Sequence, residues 1–438
     1  MKIKSPKFKN ILDNLKGKLY KFGQLIYLTC LNFNDNQLYE SANSCSFGFI
    51  FSFAPITLMT LTLMVGLLRN SKTILNYVLK FIEQFKNVFD LTPVLKEVMN
   101  MKSLSVIDFV LAIWVIWMAR KLFATVVQAM SRIFKSVTKR NTLWYQLIMF
   151  VIEFLLIFII IALIIGIFCL NRLNSFPVFQ QLNDFLPLVF LAKLSTNAEF
   201  VIYSIIFVFT ALIYKLGPGV EIKRKTSIFY AALSTISFYI TSRFIRFFFN
   251  SSNYSLVYGA ISSLIILMIL VWFFFSIFLF CAQMMHSRIF LDSLSFGVLY
   301  LAPVKENELT KWGKFILKVF RKPVADTTKY STKTYKQGDK IFSAGENADY
   351  VYYIRSGNVT RISAENKTSV LKEGSFFGEI HCILNQTRTD TATAKTECSI
   401  TAIKSHDFIK LLRNNPKASA KAISKVSKYT AELYENEQ

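Results

Sequence analysis

The sequence has little of what metal centres and disulfide frameworks are built from. Its 438 residues include six cysteines, with no CxxC pair, and three histidines, His286, His381 and His406, that lie far apart. Zinc sites and disulfide frameworks need closely spaced ligands, so the pattern predicts neither, and we expect no metal. With no acidic cluster at metal-ligand spacing, metal-assisted hydrolysis is the least favoured function. We expect the protein not to be an enzyme.

Acidic residues are also scarce, since 27 Asp and Glu stand against 51 Lys and Arg and leave a net charge of +24. Such a balance can indicate nucleic-acid binding. However, hydrophobic residues make up 53% of the chain and 43 residues are Phe, which is more apolar surface than a soluble core buries. Lipid must therefore solvate part of the chain, and the basic excess is typical of cytoplasmic loops. We expect the bilayer as a partner and no nucleic acid.

Long apolar runs are abundant, and six of them can cross a hydrocarbon core, which takes about 20 residues. The N-terminal stretch and the loops after the second and fourth runs are rich in Lys and Arg, which predicts that both termini are cytoplasmic. Residues 1–37 lack a small-residue cleavage site and are predicted to be a basic cytoplasmic or interfacial segment rather than a signal peptide. The predicted spans lie near 42–68, 104–125, 143–171, 198–216, 226–249 and 256–288.

Four polar side chains inside these spans are candidates for a function in the membrane. Glu153 lies well inside the third span, roughly 15 Å deep at about 1.5 Å per residue. An ionisable group at that depth is often functional, although a hydrogen-bonded structural glutamate is an equal alternative. Arg243 and Arg246 lie one turn apart, where snorkelling to headgroups is the simpler explanation. Asn43, on a helix that Pro55 interrupts, would line a polar cavity or contact another helix.

The composition changes after residue 290. Apolar residues at helical spacing in 305–321 predict an amphipathic helix within a connector over 291–327, which would lie on the membrane or pack on the next domain. From 328 to 404, short alternating apolar runs separated by glycines predict strands. Helical periodicity returns after Ser405. The C-terminal region over 328–438 is therefore predicted to be an α+β roll closed by helices.

One stretch of this roll, from Phe377 to Ala394, carries the groups that a cyclic phosphate and a ribose require. Gly378 allows the backbone to approach a ligand closely, and a helical turn after it would present N–H groups to an anion. Arg388 offers a planar and permanently charged fork for a phosphate. Glu379 supplies a carboxylate that can accept a hydrogen bond from the ribose 2′-hydroxyl.

Residues 328–416 resemble the cyclic-nucleotide-binding domain of catabolite-activator proteins, kinase regulatory subunits and gated channels. YKQGDKIFSAGENADYVYYIRSGNVTRI is similar to its opening strands, FGEI and TRT to its phosphate-binding cassette, and SHDFIKLLRNNP to the helix leaving the roll. The resemblance implies that Gly378 and Glu379 bind the ribose-phosphate, Arg388 the cyclic phosphate, and Thr389 a phosphate oxygen or the purine. The implied regulatory ligand is cAMP or cGMP, and the residues do not decide between them.

Two residues depart from the family pattern. Thr387 stands where the family usually has proline, and Asp390 stands where it usually has a small residue. A carboxylate pointing at a bound phosphate would weaken affinity by charge repulsion, whereas one that faces solvent or pairs with a lysine would not. The sequence after the last predicted helix leaves no room for a helix-turn-helix, so we do not expect a DNA-binding activator.

Residues 38–290 resemble the YihY/BrkB family of bacterial inner-membrane proteins. The similarity lies in YESANSCSFGFIFSFAPITLMTLTLMVGLL, in LAIWVIWMARKLFATVVQAMSRIF and in SNYSLVYGAISSLIILMILVWFFFSIFLFCAQMMHSRI. The first resembles a polar-then-apolar helix with a central proline, the second a helix with a basic loop, and the third the last helix. The resemblance implies a multi-pass α-helical domain in the inner membrane and no particular chemistry.

The predicted protein is thus an α-helical polytopic bundle of about six transmembrane helices with a C-terminal cyclic-nucleotide-binding roll. The favoured function is a transporter or permeation protein of unknown substrate, regulated by the nucleotide. The alternative is a membrane-tethered sensor or scaffold without transport. A gated cation channel ranks third, because no TVGYG-like filter lies between the last two spans. A homo-oligomer is compatible with each.

Overall fold

The computed structural model describes residues 6–51, 124–134, 198–248, 260–303, 310–321, 330–363 and 367–436. The chain forms two compact units. The helical unit comprises Leu31–His286, and the roll unit comprises Met1–Cys30 with Ser287–Gln438. Glu153 and the predicted span 143–171 lie outside the described residues, as do most of the first two predicted spans.

Helices make up the described part of the helical unit. Two of them are long and apolar enough to cross a membrane, Arg224–Phe248 and the stretch Ile265–Ile289, and they match the fifth and sixth predicted spans. A third, of 19 residues, matches the fourth. The total of six spans stays a prediction. Residues 38–51 and 124–134 are also helical. The helices with defined ends are α2 (Ala198–Leu216), α3 (Arg224–Phe248) and α4 (Ala260–Ile289), whereas α1 (Pro6–Asp35) lies mostly in the roll unit and ends in the helical unit.

The two faces of α3 are arranged as in a helix surrounded by lipid. Its buried face carries small residues such as Ser227, Ala231 and Ser234, whereas Phe244 and Phe247 are exposed. Ser227 Oγ donates to the carbonyl of Ala211 at 2.8 Å. A soluble helix would turn its phenylalanines inward, but in a bilayer small residues allow helices to approach and apolar side chains face the acyl chains.

The roll consists of two antiparallel four-stranded sheets, which confirms the α+β prediction. Their strand orders are β1-β8-β3-β6 and β2-β7-β4-β5, and Ile354 of β3 lies opposite Ile400 of β8. These two residues pack with Phe342, Val359 and Phe377 in the interior of the roll. The strands are β1 (Ser331–Tyr335), β2 (Lys340–Phe342), β3 (Tyr350–Ser356), β4 (Val359–Ile362), β5 (Thr368–Leu371), β6 (Phe376–Phe377), β7 (Thr391–Ala394) and β8 (Cys398–Lys404).

Besides α1, the described part of the roll unit contains five helices: α5 (Leu291–Leu301), α6 (Lys311–Arg321), α7 (Glu379–Leu384), α8 (Ser405–Arg413) and α9 (Pro416–Asn436). The start of α9 follows local rules. Asn415 precedes it and its Oδ1 accepts from the N–H of Ala418 at 3.1 Å, while Pro416 occupies the first helical position, where no N–H is needed.

Residues 291–301 of the predicted connector form a helix that belongs to the core of the roll unit. Only Phe290 separates α5 from α4. The ring of Phe296 lies 5.3 Å from Phe376 and 5.6 Å from Phe408, and Tyr300 is buried beside it. The last helix of the helical unit is therefore followed directly in sequence by α5, which packs in the core of the roll unit.

Candidate functional site

The cassette begins with a tight turn between β6 and α7. Gly378 has φ +73°, in the left-handed region, and precedes the first residue of α7. A side chain is strained at that φ. An added Cβ would also collide with Nη1 of Arg388. Glycine is therefore favoured here mainly by its backbone conformation, and a larger residue would also displace the guanidinium of Arg388.

The structure brings Arg388 directly against this turn. Its Nη1 donates to the carbonyl of Gly378 at 2.7 Å and its Nη2 to the carbonyl of Tyr350 at 2.5 Å. The backbone is fixed as well, because the N–H of Arg388 donates to the carbonyl of Glu346 at 2.8 Å. The guanidinium is thus held between β3 and the turn that precedes α7. Residue 388 itself follows α7 in the sequence.

The surroundings of Arg388 leave a buried positive charge without a carboxylate. The side chain is only 3% exposed, and its guanidinium carbon lies 4.3 Å from the ring centre of Phe342 and 5.7 Å from that of Tyr352. Within the described ranges, no carboxylate pairs with it, and its Nε is buried without a hydrogen-bond partner. A buried cation of this kind favours a bound anion, since aromatic rings and carbonyls compensate only part of its charge.

Glu379, the predicted ribose acceptor, is buried and already has a partner. Its Oε1 lies 2.6 Å from Nζ of Lys425 on α9. Lys425 also lies 5.1 Å from the ring centre of Tyr300 on α5. The neighbouring Lys421 donates to the carbonyl of Tyr300 at 2.8 Å. In this structure α9 therefore occupies the carboxylate that a ribose would use.

Thr389, the fourth predicted residue, is also engaged by α9. Its Oγ1 lies 2.9 Å from Nε2 of His381 and 3.4 Å from the hydroxyl of Tyr429. His381 and Tyr429 are themselves 3.2 Å apart, between Nε2 and the hydroxyl oxygen. The structure thus brings Gly378, Glu379, Arg388 and Thr389 together, and side chains of α9 contact two of them.

Asp390 does not point to solvent, nor does it pair with a lysine. Its carboxylate is buried, with Oδ2 3.5 Å from Nε of Arg361 and Oδ1 3.9 Å from Nδ1 of His381. Arg361 on β4 therefore balances part of the charge that would otherwise oppose a phosphate.

The site also contains three residues that the sequence did not predict, His381, Lys425 and Tyr429. His381 could have been predicted as a site residue, because it lies two residues after Glu379. Nothing in the sequence around Lys425 indicates that it belongs to the site.

The environment of His381 makes the stability of the roll unit depend on pH. Burial lowers the pKa of His381 from its ordinary value of 6.5, Arg388 and Arg361 lower it further, and Asp390 opposes them. The unfolded chain then binds the proton more tightly than the folded one. The contribution of His381 is complete above about pH 6.5 and is lost as the pH falls toward the lower folded pKa.

We therefore expect the melting temperature of the roll unit to fall between about pH 7.5 and 5.5, with a shallower slope in His381→Gln. His406→Gln is the matched control, because His406 is exposed on α8. Differential scanning calorimetry of the full chain checks this. Equal slopes in wild type and His381→Gln would contradict the assignment.

The membrane candidates have structural partners wherever the structure describes them. Oδ1 of Asn43 accepts from Nε1 of Trp272 at 2.6 Å. Arg243 lies over the ring of Tyr239 at 5.4 Å, and Nη2 of Arg246 lies 3.4 Å from the hydroxyl of Tyr203. These contacts join neighbouring helices or lie within one, and they bring none of the three residues into a common site. A functional role for them stays a prediction.

Comparisons with known proteins match the roll to a known domain family. A family model of the cyclic nucleotide-binding domain matches residues 332–415. The cAMP-dependent protein kinase regulatory subunit of Debaryomyces hansenii is 36% identical over 69 residues, 16% of this chain and 15% of that protein. The potassium/sodium hyperpolarization-activated cyclic nucleotide-gated channel 2 of Mus musculus is 30% identical over 89 residues, 20% of this chain and 10% of that protein.

Solved structures similar to the chain include the catabolite activator protein of Thermus thermophilus, with 21% identity over 25% of this chain and 54% of that one. Another is CBD2 of PKAR with bound Sp-2Cl-cAMPS, which is 23% identical and matches 33% of this chain and 90% of that one. The TM-score is 0.23 for both. The chain spans at most about a seventh of the length of the curated relatives named above.

The two-sheet roll and the family model that matches it define a protein that carries a cyclic nucleotide-binding domain. A second family model, virulence factor BrkB, matches residues 29–288, which is more than half of the chain. The chain therefore belongs to the BrkB family. The fusion of the two domains that the sequence predicted is confirmed.

Proposed function

We propose that this BrkB-family membrane protein is regulated by a cyclic nucleotide, cAMP or cGMP, bound at the cassette. The observation that carries the proposal is Arg388, a buried arginine without a carboxylate partner in the described residues, held against the turn at Gly378. An anion of one negative charge, such as a cyclic phosphate, would complete this site. The role is binding rather than catalysis, since the cassette presents a fixed cation and hydrogen-bonding groups.

Binding of the nucleotide would require α9 to release the cassette. The ribose 2′-hydroxyl would take the place of Nζ of Lys425 at Glu379, and the ligand would take over Thr389 from Tyr429. Both α9 contacts are interactions between side chains, so they can break without unfolding the helix. Binding and the position of α9 would then be linked, because the ligand favours the conformation in which α9 has moved.

The same movement would affect α5, which follows the last helix of the helical unit. Lys421 and Lys425 of α9 both contact Tyr300 of α5. A shift of α9 therefore changes the contacts of α5, and this change would act on the end of α4, which directly precedes α5 in the chain. Regulation requires that the ligand bind one arrangement of α9 and α5 more tightly than the other. This condition is met if Lys425 must leave Glu379 before the ribose can bind.

The first test is binding itself. We expect the full chain in detergent or nanodiscs to bind cAMP or cGMP by isothermal titration, with a rise in melting temperature that depends on ligand concentration. Cyclic dinucleotides serve as the comparison, because their second phosphate has no second buried arginine to meet among the described residues. Absence of heat and of a thermal shift at millimolar ligand would contradict the proposal.

For the output, we favour a transporter or permeation protein in a multi-pass bundle with cytoplasmic termini. The runner-up is a sensor or scaffold that reports nucleotide level to partner proteins without transport. Proteoliposomes loaded with dyes for protons, chloride and potassium distinguish the two. We expect nucleotide to change the flux of a transported species severalfold, and no flux under either condition would favour the scaffold.

Removing the lysine that occupies Glu379 should strengthen binding. We expect Lys425→Met to raise nucleotide affinity about fivefold, since a partly exposed ion pair of this kind contributes on the order of 1 kcal/mol. Lys428→Met removes the same charge at an exposed position of the same helix and is the control. Isothermal titration of both variants measures the change in nucleotide affinity, which we expect only in Lys425→Met. Weaker binding in Lys425→Met would show instead that this lysine contacts the ligand.

A further inference from the structure

A second feature of the roll unit, separate from the nucleotide cassette, is the asymmetry of α6. Its sequence KWGKFILKVFR contains four basic residues and no acid. At 100° per residue, Lys311, Lys314 and Lys318 fall on one side of the helix, while the apolar residues occupy the other. The helix is therefore amphipathic along its whole length.

Only part of the apolar side is used inside the protein. Leu317 and Phe320 are buried. In contrast, Trp312 is 66% exposed and Phe315 is 56% exposed, and their rings stack at a centroid distance of 5.6 Å. Two large aromatic side chains in contact with each other, flanked by lysines, are a surface that water solvates poorly.

The helix α6 is fixed in place by α1. Nε2 of Gln24 donates to the carbonyl of Val319 at 3.0 Å, and the rings of Tyr27 and Phe320 meet edge to face at 5.7 Å. The exposed aromatic pair is thus presented by a packed helix rather than by a loose linker. Trp312 lies near the start of α6, whereas the buried Phe320 lies near its end.

We propose that the exposed face of α6, which comprises Trp312, Phe315 and the adjoining Lys311, Lys314 and Lys318, binds the surface of an anionic phospholipid bilayer. Tryptophan and phenylalanine enter the interfacial region, and the lysines contact anionic headgroups. The charge of the face decides the occupant. A second copy of the chain would bring the same acid-free face and be repelled, whereas anionic lipid is complementary.

The chain belongs to a membrane family, so a bilayer is the surface that a lipid-binding helix of this protein would meet. An α6 bound at the lipid surface would give the roll unit an attachment point besides the chain that joins it to α4. The conclusion does not depend on nucleotide binding, because none of its residues belongs to the cassette. A chain that binds no nucleotide would still bind lipid through α6.

Photo-crosslinking of the full chain tests the assignment. Phe315→benzoylphenylalanine is introduced by amber suppression, and the protein is placed in nanodiscs of phosphatidylcholine, either alone or with about one-third phosphatidylglycerol. We expect phospholipid adducts by mass spectrometry, at least about threefold more abundant in the anionic nanodiscs. The control is Tyr434→benzoylphenylalanine on α9, an exposed position outside α6, where we expect few lipid adducts.

The charge requirement has its own variant. In the Phe315→benzoylphenylalanine background, the triple change Lys311→Glu, Lys314→Glu and Lys318→Glu should lower adduct yield in anionic nanodiscs about fivefold or more. All three lysines are exposed, and the gentler Lys→Gln set serves if the first variant does not fold. Adducts to protein instead of lipid, equal yields in neutral and anionic nanodiscs, or yields no higher than at Tyr434 would each overturn the proposal.

Discussion

Replacing Arg388 with alanine is expected to weaken cyclic-nucleotide binding by at least about 30-fold, because truncating one partner of a buried charged contact typically costs about 2–5 kcal/mol. The lost group is the cation that lies between Phe342 and the turn at Gly378. Arg388→Lys keeps the charge but loses the planar fork, and we expect it to recover only part of the affinity. Isothermal titration of the full chain measures both.

Arg388 also holds two backbone carbonyls, so folding must be measured beside binding. A melting temperature for the apo protein separates the two effects, and Arg413→Ala, on the exposed side of α8, is the matched control. If Arg388→Ala folds and binds nucleotide as tightly as wild type, Arg388 is a structural residue. The proposed phosphate site would then be wrong.

Replacing Phe296 with alanine is expected to destabilise the roll unit by about 3–5 kcal/mol, the usual cost of removing a buried phenylalanine. Phe296 lies against Tyr300, Phe376 and Phe408, so its removal leaves a cavity where α5 meets the roll. Hydrogen exchange of the β3 and β8 amides in the full chain reports the change. Protection there should fall by about two orders of magnitude or more.

Ile423→Ala is the control for that experiment, because Ile423 on α9 is 65% exposed and should leave protection nearly unchanged. Phe296→Ala also tests the proposed coupling between the nucleotide site and the helical unit. If Phe296→Ala binds nucleotide but the ligand no longer alters flux, α5 carries the coupling. Full protection in Phe296→Ala would show that α5 is not part of the core.

In the cassette of this chain, a cluster of side chains surrounds His381. Thr389, His381 and Tyr429 contact one another, and Asp390 lies between His381 and Arg361. Asp390 is thus engaged beside the site, with an arginine to offset its charge. This arrangement explains how an acidic residue can follow the Arg-Thr pair without direct exposure to solvent.

Local patterns were enough to predict several features of the fold. Apolar runs indicated the membrane class, since no soluble core buries them, and the chain belongs to a membrane family. Regularly placed glycines and alternating residues indicated the roll, because strands and turns are encoded within a few residues. Gly378 and Arg388 were recognisable from the cassette, and the structure places them in contact.

Other features were decided by tertiary structure alone. Lys425 meets Glu379 across 46 residues of sequence, and Lys421 meets Tyr300 across 121. No periodicity encodes contacts between elements so far apart, because they depend on how α5, α7 and α9 pack together. The sequence by itself determined a membrane protein with a nucleotide-binding cassette. Only the tertiary structure showed that side chains of α9 contact two residues of this cassette and that α5 is buried in the core of the roll unit.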